Sequence, residues 1–141
     1  MFTHVIVPVD LSHENAAYRA LQVARANLAP GGKLTLLHVI APIPGYVAVE
    51  AGFTASEKVT NSAMSQLQSL AERDRLASDT DLRIEHGSIY RKILECVTDP
   101  DHQAIVMASH NPRFSDFMIG SVAAQVVKHA KCSVFVVRHS Q

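Results

Sequence analysis

A polar loop that ends in Gly120-Ser121 and leads into a short helix is the stretch of this sequence best suited to bind an anion. The loop starts after an apolar run at Ser109 and carries His110 and Arg113. The first backbone N–H groups of a helix have no partner within the helix, and the helix dipole places partial positive charge there. Because phosphate is the anion that such helix starts usually bind, the segment predicts a phosphate site.

Several groups of this loop have the chemistry to contact phosphate. Gly120 is expected to supply either a positive φ or a close backbone approach, and Ser121 adds a hydroxyl. Arg113 is the only basic residue of the loop, and a guanidinium matches phosphate geometry. Ser109 and His110 can donate hydrogen bonds, although His110 and Arg113 are equally typical of solvated loop residues. For these two residues both interpretations stay open.

The sequence offers little that predicts catalysis. We find no Ser-His-Asp order and no paired carboxylates, and no G-x-x-x-x-G-K pattern precedes Gly120-Ser121. The histidines are scattered, without the spacing of metal ligands. Phosphoryl transfer needs a positioned nucleophile and charge stabilisers, and the sequence identifies neither. We therefore expect binding without fast turnover.

Composition and charge limit the class of protein. Apolar residues make up 48% of the 141 residues and charged residues 18%, which fits one globular domain over 1–141. The formal net charge is zero, so nothing predicts binding to nucleic acid or to an anionic membrane. We see no secretory leader and no stretch of membrane-spanning length. Cys96 and Cys132 lack C-x-x-C spacing, which indicates two reduced, buried thiols in a cytosolic protein.

The elements that must position the loop alternate between strands and helices. Short apolar runs predict strands at 5–9, 34–40, 82–86, 104–108 and 134–137. The run 5–9 is unbroken, which suits a strand covered on both faces, whereas the alternation at 82–86 indicates a half-exposed edge strand. Ser12 is the expected N-cap of the first helix, and Pro30-Gly31-Gly32 is expected to stop that helix. Segment 41–53 predicts a long apolar loop, and Ser56 is expected to cap the next helix.

Strand–helix repeated four times and followed by a strand predicts a right-handed, doubly wound parallel sheet with helices on both faces. Such a sheet binds ligands beyond the C-terminal ends of its strands. Asp10, Val39-Ile40, Gly87 and Ala108-Ser109 fall at those ends. Asp10 can accept from a ligand's amino or hydroxyl group, or it can cap the first helix. Gly87 can make room for a ligand or serve a tight turn.

Across essentially its whole length the sequence resembles the universal stress protein family. The matching segments are 5–10, 37–39, 85–88, 108–110 with Gly120-Ser121, and 132–138. The Ala-Ser-His-x-Pro form of the loop is most similar to the F-type branch. The resemblance implies a Rossmann-like fold of the adenine nucleotide alpha hydrolase type, with a five-stranded parallel sheet in the order 3-2-1-4-5.

The phosphate loop departs from the pattern of the family's nucleotide-binding members, G-x-x-G, nine residues, then G-S or G-T. Ala108 replaces the first glycine and Asn111 the second, and the loop to Gly120 is one residue shorter. Asn is the residue that best tolerates a left-handed turn after glycine, and Ala108 is small. The F-type branch shares these departures, and the resemblance implies that its members still hold ATP.

The resemblance implies a cytosolic, stress-responsive module that binds ATP, with Mg²⁺ on the phosphates, and has little or no turnover. It implies that adenine, ribose and phosphate are contacted by Pro8, Val9, Asp10, Val39, Ile40, Gly87, Ala108, Ser109, His110, Arg113, Gly120, Ser121 and Val122. Two other functions stay open. One is a slow ATPase that uses Arg113 or His110. The other is a nucleotide-free adaptor dimer.

The apolar run 134–137 ends the predicted sheet and is expected to form its second edge. An exposed edge of this kind invites pairing with a second copy, and the family resemblance also implies a dimer through this strand. We therefore expect a homodimer, with a tetramer through segment 41–53 as the open alternative.

Overall fold

The computed structural model describes residues 1–42, 45–74, 79–109 and 119–138, and for 45–56 only the course of the backbone. Strands and helices alternate in this part of the chain. They are β1 (Phe2–Pro8), α1 (Glu14–Ala26), β2 (Leu28–Ile40), α2 (Gly45–Arg73), β3 (Thr80–His86), α3 (Ile89–Glu95), β4 (Gln103–Ala108), α4 (Ser121–His129) and β5 (Ser133–Val137). The strands form one parallel sheet in the order β3-β2-β1-β4-β5, which confirms the predicted fold and places the 82–86 segment at an edge.

Two apolar clusters lie on opposite faces of the sheet. Helices α1 and α2 pack on the face that carries Val5 and Val7, and helices α3 and α4 pack on the face that carries Ile6 and Ile105. Successive side chains of a strand point to opposite faces, so a strand covered on both sides must be apolar at every position. Residues 5–7 have no exposed surface, which explains the unbroken apolar runs in the sequence.

Helix α2 is longer than its sequence pattern indicated. Segment 41–53 was expected to be a loop, but residues from Gly45 onward are helical, so that prediction is wrong. Pro42 precedes the helix, where proline does not interrupt intrahelical bonds. Gly52 lies inside the helix, where a glycine costs about 1 kcal/mol relative to alanine, too little to end a long packed helix.

The Pro30-Gly31-Gly32 turn lies inside β2 and does not end α1, contrary to the prediction. Helix α1 ends at Ala26, and the N–H of its C-cap Asn27 donates to the carbonyl of Ala24 at 3.1 Å. Strand β2 starts at Leu28, and its register with β1 shifts between the pairs Phe2↔Leu28 and His4↔Lys33. Gly31 has φ +76°, a conformation that suits glycine and allows the extra residues to loop out.

The predicted N-cap of α1 is wrong, because His13 and not Ser12 occupies the N-cap position. The His13 side chain makes no capping hydrogen bond.

Cys96 and Cys132 are both free, as predicted, but half-buried. Burial raises the pKa of both thiols, so neither side chain has thiolate character. No helix in the described ranges is long and apolar enough to cross a membrane.

The N-terminal end of the sheet is closed by a hydrogen-bonded side-chain network. Oε1 of Gln103 accepts from the backbone N–H groups of Thr98 and Asp99 at 2.7 and 2.9 Å, so Nε2 of Gln103 must be the donor to Nδ1 of His4 at 2.9 Å. His4 Nε2 then donates to Oγ1 of the buried Thr35 at 2.8 Å. The network therefore requires neutral His4 with its proton on Nε2.

Burial lowers the pKa of His4, and the charges of Lys33 and Arg83 lower it further, against Asp81, which raises it. A proton on Nδ1 would also face the Gln103 amide donor. Between the lowered pKa and about pH 6.5 the unfolded chain therefore binds more protons than the folded chain. The contribution of His4 to stability is complete above about pH 6.5 and is lost progressively below it.

We expect the free energy of unfolding to fall as the pH decreases from about 7 to about 5, with His4 contributing at most about 1.4 kcal/mol per pH unit. His4→Gln keeps a donor toward Thr35 but cannot titrate, so its unfolding free energy should depend less on pH. Urea unfolding at several pH values measures this. His102→Gln, at an exposed site in the same end of the sheet, is the control. The same pH slope in His4→Gln and wild type would contradict the assignment.

Candidate functional site

A cavity of about 530 Å³ lies at the C-terminal ends of β1, β2 and β4. Strand β1 has β2 on one side and β4 on the other, so the following connections leave the sheet on opposite faces and leave a crevice. The volume is in the usual range for small-molecule sites. The cavity is lined by Pro8, Val9, Asp10, His13, Ala16, Ala17, Leu37, His38, Val39, Ile89, Ile93, Met107, Ala108, Ser109, Gly120, Ser121, Val122 and Ala123.

Most residues selected from the sequence meet at this cavity. Those that line it are Pro8, Val9, Asp10, Val39, Ala108, Ser109, Gly120, Ser121 and Val122. Ile40 and Gly87 lie at the same edge of the sheet but outside the lining, and they bond to each other, with the Gly87 N–H donating to the Ile40 carbonyl at 3.0 Å. His110, Arg113 and Asn111 lie outside the described residues.

The start of α4 opens into the cavity. Gly120 is the N-cap and has no side chain to cap the helix, and Ser121 is the first helical residue. Gly120, Ser121 and Val122 all line the cavity, so the first N–H groups of the helix are at its wall. Gly120 has φ −58°, which excludes the first of its two predicted roles, a positive φ, and leaves the second, a backbone without a Cβ beside the cavity.

Asp10 lies at the cavity edge with its carboxylate partly engaged. The backbone N–H and the hydroxyl of Ser12 donate to Oδ1 of Asp10 at 3.0 and 2.5 Å, which forms an Asx turn before α1. The other oxygen, Oδ2, is 3.9 Å from Nε2 of His13. Asp10 therefore shapes the turn that leads into α1 without occupying its N-cap, and 66% of its side chain remains exposed.

Backbone bonds fix the strand ends around the cavity. The Val9 N–H donates to the Leu37 carbonyl at 2.8 Å, and the Ser109 N–H donates to the Val137 carbonyl at 3.0 Å. Gly87 follows β3 with φ +138°, a conformation that other residues rarely adopt. Because Gly87 is outside the cavity lining, the tight turn is the role that this geometry supports.

Sequence reasoning missed the part of the wall contributed by α1 and α3. Ala16 and Ala17 of α1 and Ile89 and Ile93 of α3 line the cavity, together with His13, Leu37, His38, Met107 and Ala123. The small side chains of Ala16 and Ala17 allow α1 to pack closely on the sheet and also leave space at the sheet edge. His38 carried a signal, because a histidine interrupts the apolar run of a buried strand.

The described residues contain no group of three or more His, Cys, Asp or Glu side chains that could hold a metal ion.

The chain matches the model of the universal stress protein family over residues 1–138. It is 27% identical to universal stress protein G of Salmonella typhimurium over 145 aligned positions, which cover 98% of this chain and 100% of that protein. It is 32% identical to a Staphylococcus aureus protein named as a universal stress protein, with 97% of this chain and 84% of that protein covered.

Solved structures show the same fold. The hypothetical protein MJ0577 superimposes with a TM-score of 0.82 at 22% identity, covering 100% of this chain and 99% of that one. A universal stress protein in complex with cAMP superimposes with a TM-score of 0.63 at 21% identity, covering 99% of each chain.

Gly87→Ala should lower the free energy of unfolding by about 1–3 kcal/mol because alanine is strained at φ +138°. The added Cβ would approach Cε of Lys92 at 3.1 Å, and that flexible side chain can move away. Urea unfolding measures the effect. The matched control is Gly120→Ala, where φ is −58° and alanine is unstrained, and equal destabilisation of both variants would contradict the argument.

Proposed function

The chain belongs to the universal stress protein family, and from this premise we propose that it is a stress-response module that binds ATP in the cavity at the C-terminal edge of its sheet. The proposal adds that binding, with little or no turnover, is what changes the surface that the protein presents to its partners. The observation that carries the proposal is the position of the start of α4, where Gly120, Ser121 and Val122 line the cavity.

The cavity lining combines polar groups that suit phosphate with apolar side chains that suit a base. The first N–H groups of α4 and the Ser121 hydroxyl suit phosphate. Val9, Val39 and Met107 are nearly fully buried apolar residues of the lining and suit a flat base. Asp10, largely exposed at the edge, suits a ribose hydroxyl or an amino group. A protein of this fold in complex with cAMP supports an adenine nucleotide as the ligand to test first.

Mg²⁺ would accompany ATP through the phosphate oxygens, since Mg²⁺ commonly pairs substrate phosphates with water and few protein carboxylates. When bound, it would neutralise phosphate charge. Asp10 is the carboxylate that lines the cavity, and its Oδ1 already accepts two hydrogen bonds from Ser12. The role of the protein's own residues is therefore to hold and orient the nucleotide.

Low turnover is proposed because the cavity lining that the structure describes pairs no base with a nucleophile. Asp10 and His13 are the close titratable pair, with Oδ2 and Nε2 3.9 Å apart, and both lie at the α1 side of the site. Slow hydrolysis through His110 or Arg113 remains the alternative function. Membership of the F-type branch, a single domain over 1–141 and a cytosolic location remain predictions, the last in keeping with two free thiols.

Gly120→Val should weaken ATP binding at least about tenfold, because a branched side chain would enter the space where phosphate approaches the helix start. Isothermal titration of ATP, with and without Mg²⁺, measures the affinity. Ala124→Val is the matched control, since it adds the same branched side chain to an exposed position of α4 outside the cavity lining.

Three outcomes of this titration differ in meaning. Equal binding by wild type and Gly120→Val would show that ATP binds elsewhere. No binding by wild type, together with no nucleotide released from the purified protein in mass spectrometry, would favour the adaptor function. ATP-dependent phosphate release by wild type that Gly120→Val lacks would favour the slow ATPase.

We also propose a homodimer through β5. This strand is an edge of the sheet, and its residues 134–137 are only half-buried although they are all apolar. Edge strands of this kind pair readily with another copy. A second interface in segment 41–53, part of which is the start of α2, remains the alternative for a tetramer.

Val136→Lys should shift the protein from dimer to monomer, because a lysine on an apolar edge strand opposes pairing with a second copy. Sedimentation velocity at about micromolar concentration measures the change, with thermal unfolding as the check on folding. Val127→Lys is the control, since Val127 is 48% exposed on α4. A wild-type monomer at this concentration, or an unchanged Val136→Lys dimer, would refute the assembly.

A further inference from the structure

We propose that His38 is a positioning residue for the base. Its imidazole donates a hydrogen bond to the carbonyl of Val9. This bond ends the pairing of β1 with β2 and leaves the backbone N–H and carbonyl of Val39 facing the cavity. The inference rests on the proposed adenine-nucleotide function and extends it to the residue that sets the shape of the base site.

The hydrogen bonds at the end of β1 carry the argument. Strands β1 and β2 pair as far as Pro8↔Leu37, and the Val9 N–H adds one more bond to the Leu37 carbonyl at 2.8 Å. In a parallel ladder, the next bond would join the Val39 N–H to the Val9 carbonyl. That carbonyl instead lies 2.9 Å from Nδ1 of His38, and no backbone N–H within the described ranges donates to it.

The chemistry of the contact fixes the state of the ring. A carbonyl only accepts hydrogen bonds, so Nδ1 of His38 must carry the proton and donate. Both the neutral Nδ1–H tautomer and the imidazolium can do this. The bond can therefore form with either the neutral or the charged ring. Another side chain that places an N–H at the position of Nδ1 can make the same bond to the Val9 carbonyl.

The position of the ring separates its role from direct contact with the base. Alternation along β2 puts His38 on the same face as Leu34 and Leu36, which pack under α1 and α2, while Leu37 and Val39 belong to the opposite cluster. His38 and Asp10 are the residues shared by the cavity and a second, open hollow beside α2. His38 is thus part of the wall between them.

Two consequences for the site follow from the His38–Val9 bond. Asp10 comes directly after Val9, so fixing the Val9 carbonyl also fixes the turn in which Ser12 donates to Asp10. The N–H and carbonyl of Val39 point to the side where β1 has already ended, and Val39 lines the cavity. A donor and an acceptor side by side match adenine, which presents an amino donor beside ring-nitrogen acceptors.

A pair of substitutions with matched shapes tests the proposal. His38→Asn places an amide N–H at the position of Nδ1, whereas His38→Leu has the same branched shape with no donor. We expect His38→Leu to weaken ATP binding at least about tenfold and to reduce the preference for ATP over GTP. His38→Asn should bind ATP within about threefold of wild type. His102→Leu, which removes an exposed histidine at the opposite end of the sheet, is the control.

Amide hydrogen exchange of the ligand-free proteins keeps this test independent of the proposed function. The Val9 and Ser12 amides should exchange at least about tenfold faster in His38→Leu than in His38→Asn, with similar global melting temperatures. If wild type binds no ATP, the proposed function fails and these exchange rates alone decide the positioning role. If His38→Leu does not fold, His38→Ala takes its place. Equal exchange and equal affinity in the Asn and donor-free variants would overturn the proposal.

Discussion

The structure depends on one constraint, which is that a parallel sheet covered on both faces can leave its backbone hydrogen-bonding groups unpaired only at the ends of its strands. Residues 5–7 of β1 and 104–106 of β4 have no exposed surface, so water cannot satisfy their polar groups. Pairing with β2, β4 and β5 does so instead. Any ligand that is to meet free N–H or carbonyl groups must therefore bind where these strands stop.

The two ends of the sheet meet this constraint differently. At the N-terminal end, the side chains form a chain of hydrogen bonds in which Gln103 donates to His4 and His4 donates to Thr35. At the C-terminal end, the Val9 carbonyl accepts a hydrogen bond from the His38 side chain, α4 starts at a glycine N-cap, and both Val9 and Gly120 line the cavity. The protein's own side chains therefore pair the polar groups at the N-terminal end of the sheet, whereas the C-terminal end leaves polar groups for a ligand.

The parts of the fold that depend on burial were readable from the sequence. Continuous apolar runs gave the buried strands, and alternation at 82–86 gave the edge strand, because both patterns report how many faces are covered. The strand order came from the family resemblance. The glycines and proline of Pro30-Gly31-Gly32 and Gly52 were wrong indicators of where elements end. The same residue types also occur at a bulge within a strand and inside a long helix.

The candidate site likewise contains residues that the sequence identified and residues that it did not. Residues that directly follow a strand, such as Asp10 and Ser109, were found because the end of a parallel strand defines the edge where ligands bind. Cavity residues within α1 and α3 were not found, because their part in the wall depends on how each helix is rotated against the sheet. A sequence gives the apolar stripe of a helix but not which end of that stripe borders a crevice.

In the phosphate loop, Ala108 and Asn111 replace two glycines of the family pattern. A glycine can be needed for its backbone conformation or for the space left by its missing Cβ, and the described part of the chain has no non-glycine residue with positive φ. Ala108 ends β4 in register with Val137 and so has ordinary extended geometry, which alanine adopts without strain. Its only cost to a ligand is one methyl group at the wall of a cavity of about 530 Å³. Alanine at position 108 is therefore compatible with the proposed phosphate site, and neither Ala108 nor Gly120 has the positive φ that would require glycine.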